Sequence, residues 1–180
     1  MENASKVIEQ TKKWIVDVVI ACNFCPFAAR EIKRNSIHYE VVTETNLKKS
    51  LQLFINECQR LDSQTEIETS LLIFSKGFFS FNEYLVLLRE AEKLLKRKGY
   101  EGVYQLASFH PHYRFAEASP DDAANYTNRS PYPMLHLLKE ESIEKALQHY
   151  PNPEQIPERN IRFAREKGPA YMKMLRDSCL

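Results

Sequence analysis

The sequence predicts an α/β fold in which a mixed sheet of about four strands is flanked by helices. Short strand-like segments alternate with amphipathic helical segments, which is the pattern of strands joined by helical crossovers. With 180 residues and a hydrophobic content of 43%, the chain has the size and composition of one globular domain. We therefore expect residues 1–180 to form a single α/β domain.

The N-terminal pattern is helical. Over Ser5–Ala21, apolar residues recur every three or four positions, as on one face of an amphipathic helix. The β-branched run within Trp14–Ala21 would also suit a strand, but the helical period continues into it from upstream. Pro26 then suits the first position of a short second helix that runs through Arg34.

Two strands and a connecting helix follow. Ile37–Thr43 has the composition of a strand, and Asn46 can cap a helix over Leu47–Leu61. Thr69–Ser75 is a continuous apolar strand, and such runs are typical of strands that are covered on both faces. A helix between two strands is the connection that parallel neighbours require.

One more helix and strand follow, and the alternation of strands and helices then ends. Ser80 and Glu83 form a capping box that opens a helix ended by Gly99, and Val103–Phe109 is the third strand. The fourth strand, Met134–Leu138, follows an irregular segment rather than a helix, so it can run antiparallel.

Helix-capping residues and a helix-ending glycine predict that the C-terminal part of the chain is helical. Ser142 can open a helix that reaches His149, and Asn152 begins a further helix that Gly168 ends. Ala170–Ser178 has a weaker helical pattern.

The segment Phe109–Leu138 is where chemistry-bearing side chains concentrate. Between Pro111 and Pro133 it has no clear period, apart from one short helical turn that Ser119–Asp122 would start. Long irregular segments inside a domain are usually functional or disordered, and the tyrosines and prolines here favour order. We expect this segment to build a site.

Composition narrows the classes of function. The net charge of +1 gives no electrostatic basis for binding nucleic acid or an anionic membrane, and the four glycines form no phosphate-cradling pattern. The first residues lack the apolar core of a signal peptide, and no apolar run approaches the length of a membrane span. We expect a cytoplasmic protein without a nucleic-acid or membrane partner, and we leave cofactors and oligomeric state open.

Cys22 and Cys25 have the spacing of a redox pair. That chemistry needs the first thiol at a helix N-terminus, whereas Cys22 is predicted at a helix end. Cys25 lies just ahead of the second helix, so it is the better candidate for a reactive or site-lining thiol. The alternative is that both are small buried apolar residues.

His110 and His112 flank Pro111 and would point to the same side of an extended segment. They could bind a metal ion together with His136, Asp121 or Asp122. The spacing is common, however. The aspartates would also stabilise a first helical turn, and His136 lies in an apolar strand where a hydrogen-bonded core histidine is expected.

A cluster of donors follows in the same segment. Asn125, Asn128, Arg129 and Ser130 offer amides, a guanidinium and a hydroxyl that suit a carboxylate or phosphate. The alternative is that the asparagines and the serine satisfy the backbone of the loop itself. Arg159 could be a second arm of the site or part of a solvated helix start.

Seven strings along the chain together resemble a bacterial protein family of unknown function, domain of unknown function 1415. The strings are Asn23–Ala28, Ser108–Pro111, Tyr113–Ala116, Pro120–Asp122, Asn125–Pro133, Leu135–Leu138 and Ile156–Ile161. The resemblance covers nearly the whole length and implies no activity. It implies motif positions at Cys25, His110, Asp121, Asp122, Asn125, Asn128, Arg129, His136, Glu158, Arg159 and Asn160. Cys22 and His112 stand where the family commonly has other residues, which weakens the redox pair and the metal pair.

These observations favour a small-molecule site for an anionic ligand. Arg129, Asn125 and Asn128 would bind the anion, His110 would transfer a proton, and Cys25 would be a nucleophile or a wall of the pocket. Further residues of the site would be Asp121, Asp122, His136 and Arg159. Whether the site is catalytic stays open. The alternatives are a non-catalytic protein-interaction domain, with the tyrosines of the segment as anchors, and a metal-binding protein that uses His110 and His112.

Overall fold

The computed structural model describes residues 3–148 and 150–180. Its four-stranded sheet consists of β1 (Ile37–Val42), β2 (Thr69–Phe74), β3 (Tyr104–Phe109) and β4 (Met134–Lys139), in the order β1-β2-β4-β3. Strands β1 and β2 are parallel, and β4 is antiparallel to both β2 and β3. The predicted mixed α/β sheet is confirmed, including the antiparallel fourth strand.

The N-terminal helix has two parts. Helix α1 (Ala4–Trp14) continues without a break into a π-helical segment, Ile15–Ile20, that coincides with the β-branched run. Side chains of this type crowd the preceding turn of an α-helix. Because residues 4–20 are helical throughout, the predicted helix is confirmed, and a strand over the β-branched run is excluded. Helix α2 (Ala28–Arg34) follows after a short turn.

Helices α3 (Leu47–Ser63) and α4 (Phe81–Arg97) form the two crossovers. Asn46 caps α3 as predicted, because its side chain accepts a hydrogen bond from the backbone N–H of Lys49 at 3.2 Å. Ser80 occupies the N-cap of α4, but its side chain makes no capping hydrogen bond. The helix is where the capping box predicted it, although the hydroxyl does not contribute to the cap.

Both faces of the sheet are covered, which gives three layers. On one face, α3 and α4 pack against Leu72, Leu135 and Leu137; we call this the α3/α4 face. On the other, α1 and the π-helical segment pack against Leu71 and Met134; we call this the α1 face. All six residues of β2 are buried, as expected for a strand covered on both sides.

Three helices complete the chain. Helix α5 (Glu140–Leu147) begins two residues earlier than predicted, and its predicted end, His149, lies outside the described residues. Helix α6 (Ile156–Lys167) follows a short 3₁₀ turn, Pro153–Gln155. Gly168 ends α6 with φ of 82°, a conformation that favours glycine, and α7 (Pro169–Asp177) then begins.

The segment between β3 and β4 is ordered around a 3₁₀ helix, Ala123–Thr127. Its cap is Asp122, whose side chain accepts a hydrogen bond from the backbone N–H of Ala124 at 2.9 Å; Ser119, which we predicted to start the turn, does not cap it. The described part of the chain contains no helix that combines the length and the apolar character needed to cross a membrane.

Candidate functional site

His110 directly follows β3 and is fully buried. Its Nε2 donates to the backbone carbonyl of Phe78 at 2.9 Å, and its Nδ1 accepts the backbone N–H of His112 at 2.9 Å. These partners assign the neutral tautomer with the proton on Nε2. Burial lowers the pKa of His110 to about 4. The ring links two loops, and neither nitrogen is free for the proton transfer or the metal binding that we predicted.

The two asparagines of the segment bind backbone groups. Asn125, fully buried, accepts the N–H of Phe115 at 3.0 Å and donates to the carbonyl of Ser119 at 2.8 Å. Asn128 donates to the carbonyl of Ser108 at 3.1 Å. The loop's own backbone, rather than an anion, therefore occupies these amides.

Arg129 also binds the segment itself. Its guanidinium donates to the carbonyl of Tyr113 at 3.0 Å and to that of Pro120 at 2.8 Å, and it lies 4.6 Å from the ring centroid of Tyr126. The Nε–H and one Nη2–H of its five N–H donors are thus used on carbonyls, so an anion at this edge of the guanidinium would have to compete with the loop backbone.

The two predicted aspartates differ in their surroundings. Asp121 is exposed and forms no hydrogen bond or ion pair within residues 3–148 and 150–180. Asp122 caps the 3₁₀ helix and also pairs with Arg165 of α6, with N–O distances of 3.1 and 2.8 Å. Hydrogen bonding to this guanidinium lowers the pKa of the Asp122 carboxyl. Asp122 thus joins the segment to α6.

Two of the three tyrosines of the segment are buried, and the third, Tyr113, is half-buried. Tyr126 and Tyr132 are buried, with exposed fractions of 7% and 5%, and both belong to the core on the α1 face. They contribute to packing rather than to the outward-facing surface that the interaction-domain alternative requires.

The structure does not bring the predicted thiol and imidazole together. Cys25 packs against the α1 face, whereas the His110 ring lies 5.0 Å from Tyr84 and 5.2 Å from Phe81, centroid to centroid, on the α3/α4 side. Cys25 and His110 therefore lie on opposite faces of the sheet.

Cys25 instead shares a cavity with His136. The cavity has a volume of about 230 Å³ and lies on the α1 face, between the sheet, the π-helical segment, α2 and α5. Most of its lining is apolar; examples are Trp14, Val19, Phe27, Leu71, Phe109 and Ile143. Sequence analysis selected both Cys25 and His136 but assigned them to a site built around Arg129.

His136 is the polar group on the sheet side of this cavity. Its Nε2 lies 2.6 Å from the hydroxyl oxygen of Thr69, which lies 2.6 Å from the carbonyl oxygen of Leu137. Burial lowers the pKa of His136 to about 4, so the ring is neutral. Nδ1 makes no hydrogen bond to any described residue, and it is not among the enclosed polar atoms that lack a partner.

Cys25 is a half-buried thiol at the start of α2. Burial raises the pKa of Cys25, and the N–H groups of Phe27 and Ala28 oppose this change without reversing it. The thiol is therefore protonated at neutral pH. Cys22 is a free, buried cysteine, so the two cysteines are not joined in a disulfide.

Arg159 lies at a different place, beside an open polar cavity of about 400 Å³ at the start of α6. Its guanidinium donates to the hydroxyl of Tyr150 at 2.6 Å and to the carbonyl of Asn23. Arg162 lines the same cavity and forms no hydrogen bond or ion pair within the described part of the chain.

Sequence analysis missed a buried ionic network on the α3/α4 face. Glu57 has an exposed fraction of 2% and accepts hydrogen bonds from Ser70 at 2.6 Å and Arg60 at 3.0 Å. His38 and Glu40 of β1 lie close by, with Nε2 of His38 3.6 Å from Glu57. The group has the residue types of a metal site, but Arg60 already supplies the positive charge. The sequence did contain a sign of this network, because the charged residue Glu57 lies among the apolar positions of α3 that face the core.

Comparison with known protein families identifies the family of this chain. A family described as a protein of unknown function, DUF1415, matches residues 6–174, which confirms the resemblance found in the sequence. No curated protein and no solved structure matches the chain. The chain therefore belongs to the DUF1415 family.

Proposed function

We propose that this protein binds a small, mostly apolar molecule in the cavity that Cys25 and His136 line. One observation carries the proposal. A mostly apolar cavity of about 230 Å³, partly open to solvent, lies between the sheet and the helices that cover its α1 face. An apolar cavity of roughly 150 Å³ already accommodates benzene, so the space suits a substituted aromatic ring or a molecule of similar size.

The charged groups around the cavity have partners within the protein. Lys139 donates to the carbonyl of Ile67 at 2.6 Å, and Glu68 accepts the hydroxyl of Ser142 at 2.6 Å. Neither the ammonium nor the carboxylate therefore needs a charged ligand. This supports a neutral ligand here, in place of the anion that the sequence suggested.

Cys25 would act as a wall of the cavity. A protonated thiol is a poor nucleophile, and Nε2 of the neutral His136 contacts the Thr69 hydroxyl. Binding, rather than covalent catalysis, is accordingly the activity we propose for this cavity.

The test uses p-xylene as the probe and thermal unfolding with calorimetric titration as readouts. Saturating p-xylene should raise the Tm of the native protein, since a ligand that binds only the folded state stabilises it. Ala107→Leu should weaken p-xylene binding at least tenfold, because the larger side chain occupies the cavity. Ala170→Leu, at an exposed position of α7, is the matched control.

Ala146→Leu, on the α5 wall, repeats the test if Ala107→Leu does not fold. The proposal is wrong if saturating p-xylene leaves the Tm of the native protein unchanged. It is also wrong if p-xylene binds the filled-cavity variant as tightly as the native protein.

A second candidate function is the binding of an anionic ligand in the polar cavity beside α6. Arg159 and Arg162 line that cavity, and Arg162 has no partner among the described residues. Inorganic phosphate is the probe, and Arg162→Gln should abolish any stabilisation by it. Equal stabilisation of Arg162→Gln and the native protein would remove this candidate.

The cytoplasm is the compartment we propose. All four cysteines are free, which fits a reducing environment. Fractionation of cells that express the protein, followed by immunoblotting, tests this; recovery with the secreted or membrane fraction would overturn it.

A further inference from the structure

We infer that the cavity is selective for a neutral ligand that carries a hydrogen-bond donor, such as a phenol, and that Nδ1 of His136 is the acceptor. This inference rests on the proposed function and assigns the ligand class for the same cavity. It depends on the direction in which the Thr69 hydroxyl donates its single proton.

The Thr69 hydroxyl has a single proton and two close neighbours. The carbonyl oxygen of Leu137, at 2.6 Å, can only accept, so the hydroxyl proton must lie on that contact. The second contact, at 2.6 Å to Nε2 of His136, then needs its proton from the imidazole. Thr69 therefore assigns the Nε2–H tautomer to His136.

Nδ1 is consequently an unprotonated acceptor. The described residues offer it no donor, and it is not among the enclosed atoms without a partner, which are Trp14 Nε1, Tyr39 Oη and Ser50 Oγ. It is thus accessible to solvent. Because His136 lines the cavity between its strand neighbours Leu71 and Ala107, we place this open atom at the cavity.

An acceptor in an apolar cavity selects among ligands. A hydroxyl or N–H group can pair with Nδ1, whereas a carboxylate would place a charge beside a lone pair in an apolar environment. Among the charged groups that line the cavity, the two carboxylates of Glu31 and Glu68 outnumber the one ammonium of Lys139, which disfavours an anion further. The selected ligand is therefore neutral, mostly apolar and equipped with one donor.

Three probe molecules test separately whether the ligand must be neutral and whether it must carry a hydrogen-bond donor. p-Cresol and p-xylene have nearly the same shape, and they differ by a hydroxyl in place of a methyl group. 4-Methylbenzoate carries a negative charge on a similar ring. We expect p-cresol to bind the native protein at least tenfold more tightly than 4-methylbenzoate at pH 7.

His136→Leu is the decisive variant, because it removes the acceptor and puts an apolar side chain in its place. It should lower the affinity ratio of p-cresol to p-xylene by about fivefold, the usual effect of one net hydrogen bond. The ratio in Ala170→Leu should stay at the native value. If p-xylene binds but the ratio does not change in His136→Leu, the inference is wrong and the proposed function stands.

Nitrogen-15 NMR of the native protein gives a measurement that does not depend on a variant. The His136 ring should show a proton on Nε2 and none on Nδ1, and p-cresol, but not p-xylene, should shift the Nδ1 resonance. A proton on Nδ1 in the native protein would overturn the inference. Failure of both probes to bind would overturn the proposed function as well.

Discussion

Nε2 of His110 donates a hydrogen bond to the backbone carbonyl of Phe78 at 2.9 Å, and this contact ties the end of β3 to the loop after β2. The other ring nitrogen accepts the N–H of His112. A proton added to Nδ1 would break the second bond and place a charge among the rings of Phe81 and Tyr84.

Stability should therefore decrease in mild acid. Burial lowers the pKa of His110 from 6.5 to about 4, so between these values the unfolded chain binds a proton that the folded chain does not. Unfolding takes up protons in this window, and the free energy of unfolding falls as pH falls. For His110 we expect a loss of about 2 kcal/mol between pH 7 and pH 5.

Urea unfolding at pH 7, 6 and 5 measures this effect. His136, whose pKa burial also lowers to about 4, adds a loss of the same sign. His110→Gln cannot take up the proton, so its stability should depend less steeply on pH than that of the native protein. An unchanged slope in His110→Gln would show that His110 is not the titrating group.

Asn125 should matter for folding. Asn125→Ala leaves the N–H of Phe115 and the carbonyl of Ser119 without their partner inside the loop, and should destabilise the protein by about 2 kcal/mol. Asn56→Ala, at an exposed position of α3, is the control, with an expected effect below about 0.5 kcal/mol. Equal midpoints in urea for both variants would contradict this account of the loop.

Asp122 combines a cap with an ion pair, and two substitutions separate them. Asp122→Asn retains a capping oxygen and should cost under about 1 kcal/mol, because Arg165 is largely exposed. Asp122→Ala removes both interactions and should cost about 1–2 kcal/mol. Unfolding in low and high salt checks the assignment, since salt should reduce the cost of Asp122→Asn. A salt-independent cost would remove the ion pair from the explanation.

The buried carboxylate of Glu57 should be costly to replace. Glu57→Gln removes the charge that Arg60 and Ser70 stabilise, and we expect a loss of about 2 kcal/mol in the free energy of unfolding. Glu66→Gln, at an exposed position after α3, should change little. If Glu57→Gln is as stable as the native protein, the network does not stabilise the fold.

The main elements of the fold could be predicted from the sequence because local signals decided them. Asn46 caps α3, the apolar run at β2 is buried on both faces, and Gly168 ends α6. The order of the strands could not be read in this way. Strand β4 inserts between β2 and β3, and this pairing depends on contacts between residues far apart in sequence.

The candidate site was harder to predict, because residue type does not distinguish a binding group from a structural one. His110, Asn125 and Arg129 have the chemistry of a site, yet each binds backbone groups of the loops. The cavity depends instead on space left between layers, and composition carries no signal for that. Cys25 and His136 were recognised as candidates, but only the three-dimensional structure placed them together.

The most direct test of the account is a crystal structure of the protein soaked with p-cresol. We predict one p-cresol molecule in the cavity between the sheet and α5, with its hydroxyl within hydrogen-bond distance of Nδ1 of His136. An empty cavity at saturating p-cresol, or p-cresol bound only elsewhere on the protein, would contradict the account.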